Sequence, residues 1–417
     1  MTRKVLVTDA GRTSAIACIR SLGRAGWSVV AADSDARSAG FHSRFTAARF
    51  VYPAPARSPR AFLEALHAYL TTAPVDLVLP VTDECIHPLV HERARFERLT
   101  RLAIAPDAAL AQVTDKRVTI ELARRLGVPV PETHAVSTPA EARAAAASMR
   151  FPLVVKPAIS RLYLPEEDRI KSGSVSFASD LAELDRRMKA LAQQPCVLLQ
   201  SYEPGVGVGV ECLAREGRVL RAFQHRRLAE IPISGGASAW RESVPLDPEL
   251  FAHAERLIEA LGWTGLVMVE FKLGARPWLL EINGRVWGSL PLAVLAGVDF
   301  PAELAELYCP TASDASGNGH PRPDGTPARR LGEYRVGVRA YNFELMLSWI
   351  TQVLLGHTHH PYLPHPGRQR ALVGLMGLLD PTQKSDLGGG DLSLRFAEAR
   401  HIARKFAHKL VGNGSRA

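Results

Sequence analysis

A chain of 417 residues that is 47% hydrophobic and 22% charged has a globular composition with room for two or three domains, which excludes extended disorder for most of its length. Its formal charge of +9 comes from 51 basic residues interleaved with 42 acidic ones, a pattern that suits small anionic ligands and argues against a nucleic-acid partner. The five cysteines (Cys18, Cys85, Cys196, Cys212 and Cys309) lack metal-type spacing, and no apolar run reaches the roughly 18 residues of a membrane span, so a reduced, cytoplasmic protein without a membrane span is expected.

Residues 1–112 alternate apolar strands with helical stretches: KVLVTD, TSAIACIRSLGRAG, WSVVAAD, ARFVYP, PRAFLEALHAYLTT, VDLVLPV and DECIHPLVHERARF. This alternation predicts an α/β domain with a Rossmann-like parallel sheet. Its first turn, TDAGRTSA, places Gly11, Thr13 and Ser14 at a helix start, where free amides can hold an anion. The turn is not G-x-G-x-x-G, so the dinucleotide signature is missing and Asp33 reads as a turn residue. A helix closed by Gly127 and followed by Pro129 and Pro131 marks a junction within residues 113–202. From 203 to 330 strands follow closely (GVGVECLARE, RVLRAFQHRRLAE, GLVMVEFKL, PWLLEING) and predict an antiparallel sheet covered by helices near 248–261 and 290–297. Residues 331–417 read as a C-terminal extension of strand, helix and linker, with a Pro/His loop (His357, His359, His360) and a basic last helix.

The residues with chemical content sit at strand ends. Lys156 ends the apolar strand FPLVVKP, and Lys116 opens a helix, where a cation opposes the helix dipole unless an anion is near. Glu270 interrupts GLVMVEFKL, and Glu281 and Asn283 interrupt WLLEING. If those strands form a hairpin, two carboxylates and an amide oxygen share one space, a ligand set suited to Mg²⁺, which fills its other positions with water and phosphate oxygens. Two carboxylates left together without a cation would repel. Arg285, two residues on, offers a fork for a phosphate or carboxylate.

In order, Lys116, Lys156, the loop IKSGS, the run LLQSYEPG, VMVEF and LLEINGRVWGSLP resemble the ATP-grasp superfamily over roughly residues 1–310. The resemblance is closest to its carboxylate-amine ligases, which share a biotin carboxylase and carbamoyl phosphate synthase-like fold and whose corresponding run reads E-I-N-P-R-x-W-G-S. It implies a small lid subdomain and an antiparallel nucleotide-binding subdomain. It also implies an enzyme that uses ATP and Mg²⁺, with Mn²⁺ able to substitute, to activate a small-molecule carboxylate as an acyl phosphate and couple it to an amine. A carboxylase acting on bicarbonate is the nearest alternative, and a Rossmann-type NAD-binding oxidoreductase is the rival from another class. A homodimer stays open.

Carried over by position, the resemblance puts Lys116, Lys156, Ser172, Gly173 and Ser174 on the phosphates and Gln200, Ser201, Tyr202 and Glu203 at the adenine hinge. Glu270, Glu281 and Asn283 would hold the metal, with Arg285 on the transferred phosphate. Arg226 or Arg227, neighbours that point to opposite strand faces, would face the acceptor pocket with Ser234, Gly235 and Gly236. Two departures stand out. The acid that relatives place after the hinge is missing from SYEPGV, leaving Glu203 or Glu211 to replace it, and Gly284 replaces a proline, which should loosen the turn carrying Arg285.

Overall fold

The computed structural model describes residues 2–233, 235–310, 331–356, 363, 365–388 and, between 391 and 400, all but 392, 395 and 398. The N-terminal part contains β1 (Lys4–Val7), α1 (Thr13–Arg24), β2 (Ser28–Asp33), β3 (Thr46–Val51), α2 (Pro59–Thr72), β4 (Leu77–Leu79), α3 (Asp83–His91), α4 (Arg93–Phe96) and β5 (Arg101–Leu102). Its five strands are parallel in the order β3-β2-β1-β4-β5. The chain's winding direction reverses between β1 and β4, and in such sheets the crevice at the carboxyl ends of those strands is where ligands bind. Both strands run into the same tripeptide there, Val7-Thr8-Asp9 and Val81-Thr82-Asp83.

Helices α5 (Asp107–Thr114) and α6 (Lys116–Arg125) lead to the lid subdomain, and Gly127, at φ +67°, ends α6 where a side chain would strain the left-handed turn. The lid holds β6 (Thr133–Val136), α7 (Pro139–Ala146), β7 (Leu153–Pro157), β8 (Arg161–Leu164), β9 (Arg169–Ser172), β10 (Ser176–Ala178), α8 (Leu181–Ala190) and β11 (Val197–Ser201). Four of its strands form the antiparallel sheet β10-β7-β11-β6, and β8-β9 is a separate hairpin. The tip of that hairpin docks on the N-terminal part: Ser58 Oγ and the Arg60 amide donate to Asp168 at 2.6 and 2.7 Å.

The remaining elements are β12 (Val206–Arg215), β13 (Arg218–Ile231), β14 (Ala237–Ser243), α9 (Pro248–Ala260), β15 (Gly265–Leu273), β16 (Pro277–Asn283), α10 (Leu290–Ala296), α11 (Phe300–Tyr308), β17 (Arg339–Tyr341), α12 (Phe343–Leu355), α13 (Arg368–Leu379) and β18 (Lys384–Ser385). Seven strands join in one sheet, β16-β15-β12-β13-β14-β17-β18. The fold is therefore a parallel α/β part followed by a largely antiparallel part, as the sequence predicts. One hydrophobic core runs from Leu6, Val30 and Phe62 of the N-terminal part to Val208, Val269 and Phe271 of the large sheet, so the parts are packed together.

The structure adds elements that the sequence does not announce. Strand β14, helix α11 and helix α13 are additional to the predicted elements, and the stretch read as a linker carries β18. The C-terminal segment is thus no appendage, because β17 and β18 extend the large sheet and α12 packs on β13 and β14. The Pro/His loop residues His357, His359 and His360, and the last helix beyond residue 400, lie outside the described residues. Among the described residues no helix is long and apolar enough to cross a membrane.

One ion pair ties this segment in. Arg241 of β14, fully buried, donates to Asp386, just beyond β18, which is 2% exposed at its side chain. Removing one partner of a buried pair strands the other charge in a low-dielectric interior. Asp386→Ala is expected to lower the unfolding free energy by about 3–5 kcal/mol, measured by urea denaturation; a loss below ~0.5 kcal/mol, the range of ordinary surface substitutions, would mean that the segment is not integral to the sheet.

Candidate active site

The three sheets converge on one cleft of about 1010 Å³. Its floor is built from β12, β13, β15 and β16, and the sequence VGVGV explains how they fit. Val208 and Val210 of β12 point into the core, while Gly207 and Gly209 occupy the alternate, cleft-side positions. A Cβ at Gly207 would lie 2.9 Å from Arg227 Cδ, and one at Gly209 would lie 2.5 Å from His225 Cε1. The missing side chains leave room for the cleft-side residues of β13.

The two glutamates face each other. In the β15-β16 ladder Glu270 pairs with Glu281, and both line the cleft together with Met268, Lys272 and Asn283. Simple alternation along β16 would put Leu279, Glu281 and Asn283 on one face. The register shifts beside Glu270, however, so Leu279 and Ile282 enter the core and Glu281 and Asn283 face the cleft. A bulge that re-aims a side chain in this way is common next to active sites.

Cations surround the acid pair. Arg227 lies 2.7 Å from Glu270 and 2.9 Å from Glu230, and also donates to Gly236 O at 3.0 Å. Lys156, buried at 5% exposure, donates to Gln200 Oε1 at 3.0 Å and to the Leu280 carbonyl at 3.5 Å. Lys116 donates to Ser160 Oγ at 2.7 Å and stands 3.9 Å from Glu281. Arg285 binds Asp83 at 2.8 Å, and Arg161 of the lid hairpin binds Glu84 at 2.7 Å. The acidic turn after β4 therefore receives an arginine from each of the other two parts.

Electrostatics follows from this packing. Burial raises the Glu270 carboxyl despite Arg227, whereas Glu281, desolvated but more exposed at its side chain, is held below the usual carboxylate range by Lys116 and Lys156. Burial, with Lys116 adding to it, lowers the Lys156 ammonium to about 8. The donor set fits a cation that needs few protein ligands: Glu270 and Glu281 supply oxygens, Asn283, whose Nδ2 donates to Glu281 Oε1 at 3.2 Å, carries an amide oxygen as a third, and no group of three or more His, Cys, Asp or Glu suited to a metal occurs among the described residues. Mg²⁺, which keeps water and phosphate oxygens, matches such a set.

Most of the expected residues meet here, and some do not. Gln200, Ser201, Tyr202 and Glu203 line one end of the cleft beside Val154, Val175, Phe177 and Leu280, with Gln200 Nε2 bonded to Thr133 Oγ1 at 2.8 Å. Between the two arginines the structure chooses Arg227; Arg226 turns to the other face and pairs with Glu242. Gly235 and Gly236 line the cleft, and Ser234 lies outside the described residues. Ser172, Gly173 and Ser174 do not reach the cleft wall: Gly173 bonds back to Ser160 O at 3.0 Å, packed against Pro157, and Val175 and Phe177 take the wall instead. Glu211 is also corrected. It shares the face of Gly207 and Gly209, but farther along the strand it is fully buried, bonded to Ser289 Oγ at 2.9 Å and 2.9 Å from His225 Nδ1, so it has no access to a nucleotide. Gly284, expected to loosen its turn, is required by packing, since a Cβ there would lie 2.5 Å from Trp263.

The sequence reading passed over Asp9, Asp83, Glu84 and Arg161. Asp9, at φ +56°, accepts from Thr8 Oγ1 at 2.6 Å and Thr82 Oγ1 at 3.1 Å and lines the cleft. The repeated Val-Thr-Asp at two parallel strand ends is the signal that could have exposed this wall.

A family model described as "ATP-grasp in the biosynthetic pathway with Ter operon" matches residues 193–319. The carbamoyl phosphate synthase large chain of Thermus thermophilus is 29% identical over 233 residues, 53% of this chain and 22% of that protein. The chain thus spans about a fifth of the length of that relative. The crystal structure of L-amino acid ligase from Bacillus licheniformis aligns with a TM-score of 0.56 at 17% identity, covering 73% of this chain and 74% of that one. Biotin carboxylase from Campylobacter jejuni in complex with β,γ-ATP aligns at 0.60 and 16% identity, covering 81% and 74%. The chain contains an ATP-grasp domain, and its fold is the ATP-grasp fold.

A cation partly discharged by burial couples ligand binding to protons. Phosphate near Lys156 favours its protonated form, so binding is strongest below pH 8 and weakens as pH rises above that value. Calorimetry of Mg²⁺-ATP binding at pH 8 in buffers of different ionisation enthalpy is expected to show uptake of a fraction of a proton, abolished in Lys156→Met. Proton release, or uptake unchanged in that variant, would contradict the assignment.

Proposed function

We propose that this chain is an ATP- and Mg²⁺-dependent ligase that activates a small-molecule carboxylate as an acyl phosphate and couples it to an amine, releasing ADP and phosphate. The observation that carries the reading is the opposed pair Glu270 and Glu281 on a cleft wall ringed by Lys156, Arg227 and Arg285. Such a wall suits a polyanion with its metal, because carboxylates desolvated side by side need a cation and the surrounding cations need an anion.

Each residue has work that its position supports. The Gln200–Glu203 segment at the end of β11 and its apolar neighbours Val154, Phe177 and Leu280 offer a slot with backbone hydrogen-bonding groups, suited to adenine. Lys156 neutralises phosphate charge. Mg²⁺, held by Glu270, Glu281 and Asn283, would neutralise phosphate oxygens and orient them. Arg285, steadied by Asp83, stands beside these ligands where charge shifts as phosphoryl leaves ATP for a carboxylate oxygen. The acyl phosphate is then open to attack at carbon by the amine, with phosphate departing. Water would compete for that intermediate, so the lid hairpin, clipped to the N-terminal part through Arg161–Glu84 and Asp168, has a use in excluding it.

Bicarbonate as the acid is the second reading, supported by the likeness in fold to a biotin carboxylase domain from Hydrogenobacter thermophilus solved with MgADP and bicarbonate. An NAD-dependent oxidoreductase loses ground, since it leaves the acid pair without a purpose.

The test is a screen of carboxylates, bicarbonate included, for ATP-dependent ADP release, with hydroxylamine present to trap the acyl phosphate as a hydroxamate. Arg285→Ala is expected to lower the rate about 10²–10³-fold while ATP binding changes far less, the mark of an interaction made in the transition state. AMP and pyrophosphate as products would contradict the acyl-phosphate route.

A further inference from the structure

Helix α13, RQRALVGLMGLL, carries its large apolar residues on the side turned away from its own chain. The positions turned inward are small. Ala371 is buried against the cluster of Met346, Trp349 and Ile350 from α12, and a Cβ on Gly374 would lie 2.9 Å from Met346 Cε and 3.0 Å from Trp349 Cζ3. Leu372, Leu375, Met376 and Leu379, by contrast, are 45–80% exposed. Their spacing of i, i+3, i+4 and i+7 puts all four on one face of the helix. Single leucines on a surface are ordinary, but a continuous apolar stripe marks an interaction surface. None of the four lines the cleft, so the stripe is separate from the site described above.

The stripe is complementary to itself. In an antiparallel pair with a two-fold axis between Leu375 and Met376, Leu372 of one copy meets Leu379 of the other and Leu375 meets Met376, so each member of the seam faces another. The charges select that direction. Arg368 and Arg370 stand in the first turn, where a cation opposes the helix dipole, while the last turn holds no base and is followed by Asp380. Arg368 lies one turn before Leu372 on the striped face. The two-fold register therefore brings it one turn past Leu379 of the other copy, beside the last carbonyls and Asp380. That carboxylate has room for it: Oδ1 accepts from Thr382, but Oδ2 has only a long bond from Gln383 Nε2, at 3.4 Å, among the bonds of the described residues, and Arg339 nearby is bonded to Glu242 at 2.8 Å. Parallel pairing would instead set the arginines of both copies together. A membrane surface fits less well, because α13 has no base after Arg370 and ends on an acid.

We propose that α13 is the contact through which two copies of this chain pair, antiparallel, with Leu372, Leu375, Met376 and Leu379 as the seam and Arg368 of each copy against Asp380 of the other. The proposal does not depend on the ligase reading. One helix pair is smaller than the ~800 Å² per partner of a standard interface, so the pairing is expected to depend on concentration.

The test is analytical ultracentrifugation of the full chain from about 1 to 100 μM, the range in which a micromolar pair assembles. The wild type is expected to pass from monomer to dimer as concentration rises. Met376→Glu, at an exposed position that the fold does not use, should raise the dissociation constant about ten-fold or more with the far-UV spectrum unchanged, and Arg368→Glu should raise it several-fold. Leu372→Cys mixed with Leu379→Cys should give a cross-linked heterodimer with a short thiol cross-linker, and neither variant alone should link to itself. The proposal is overturned if the wild type stays monomeric throughout, if Met376→Glu pairs as the wild type does, or if Leu372→Cys links to itself, the mark of parallel pairing. A monomer that floats with phosphatidylserine vesicles through the same stripe would also overturn it and assign the face to a membrane surface.

Discussion

Two carboxylates held face to face on the wall of one cleft organise this molecule. Glu270 and Glu281 sit opposite each other because β15 and β16 pair there, and neither can move away without breaking the ladder. Their charge is met from three directions. Arg227 comes from β13, Lys116 from the linker helix and Lys156 from the lid, so one electrostatic centre joins the large sheet, the lid and the junction between them. A centre of this kind has a stake in its own hydration. The pairing is uneven: Arg227 lies 2.7 Å from Glu270, whereas Lys116 stands 3.9 Å from Glu281.

The scaffold serves this centre in specific ways. Glycines on the cleft side of β12 lower the floor, and the bulge in β16 turns Glu281 and Asn283 outward while keeping Leu279 and Ile282 in the core. The N-terminal sheet contributes a loop at its switch point, whose Asp83 and Glu84 receive Arg285 from below and Arg161 from the lid. These two pairs read as a latch between lid, floor and N-terminal part. The C-terminal segment adds two strands to the large sheet and brings Asn342 to the cleft.

Much of this was legible in the sequence because a charged residue inside an apolar strand is informative by itself. Glu270, Glu281 and Lys156 could be found that way, and strand pairing followed from short turns. What stayed hidden depended on contacts distant along the chain: Asp83 and Arg285 are 202 positions apart, and neither strand pattern announces the other. Glu211 shows a different limit. Alternation gives the correct face, yet depth along the strand decides whether the side chain meets ligand or Ser289, and alternation carries no depth. Cross-strand register could have chosen Arg227 over Arg226, since Arg227 shares the face of Gly207 and Glu270. The helix α13 eluded reading because its apolar residues do not keep to one face; Leu375, Met376 and Leu379 are exposed while Ala371 is buried.

The account stands on the acid pair being a metal site for nucleotide, and calorimetric titration of ATP in Mg²⁺ against ATP in EDTA, with wild type and Glu281→Gln side by side, tests this most directly. The wild type should bind at least ten-fold more tightly with Mg²⁺ than without it, and Glu281→Gln should lose most of that difference while remaining folded. Equal wild-type affinity in Mg²⁺ and in EDTA would contradict the account.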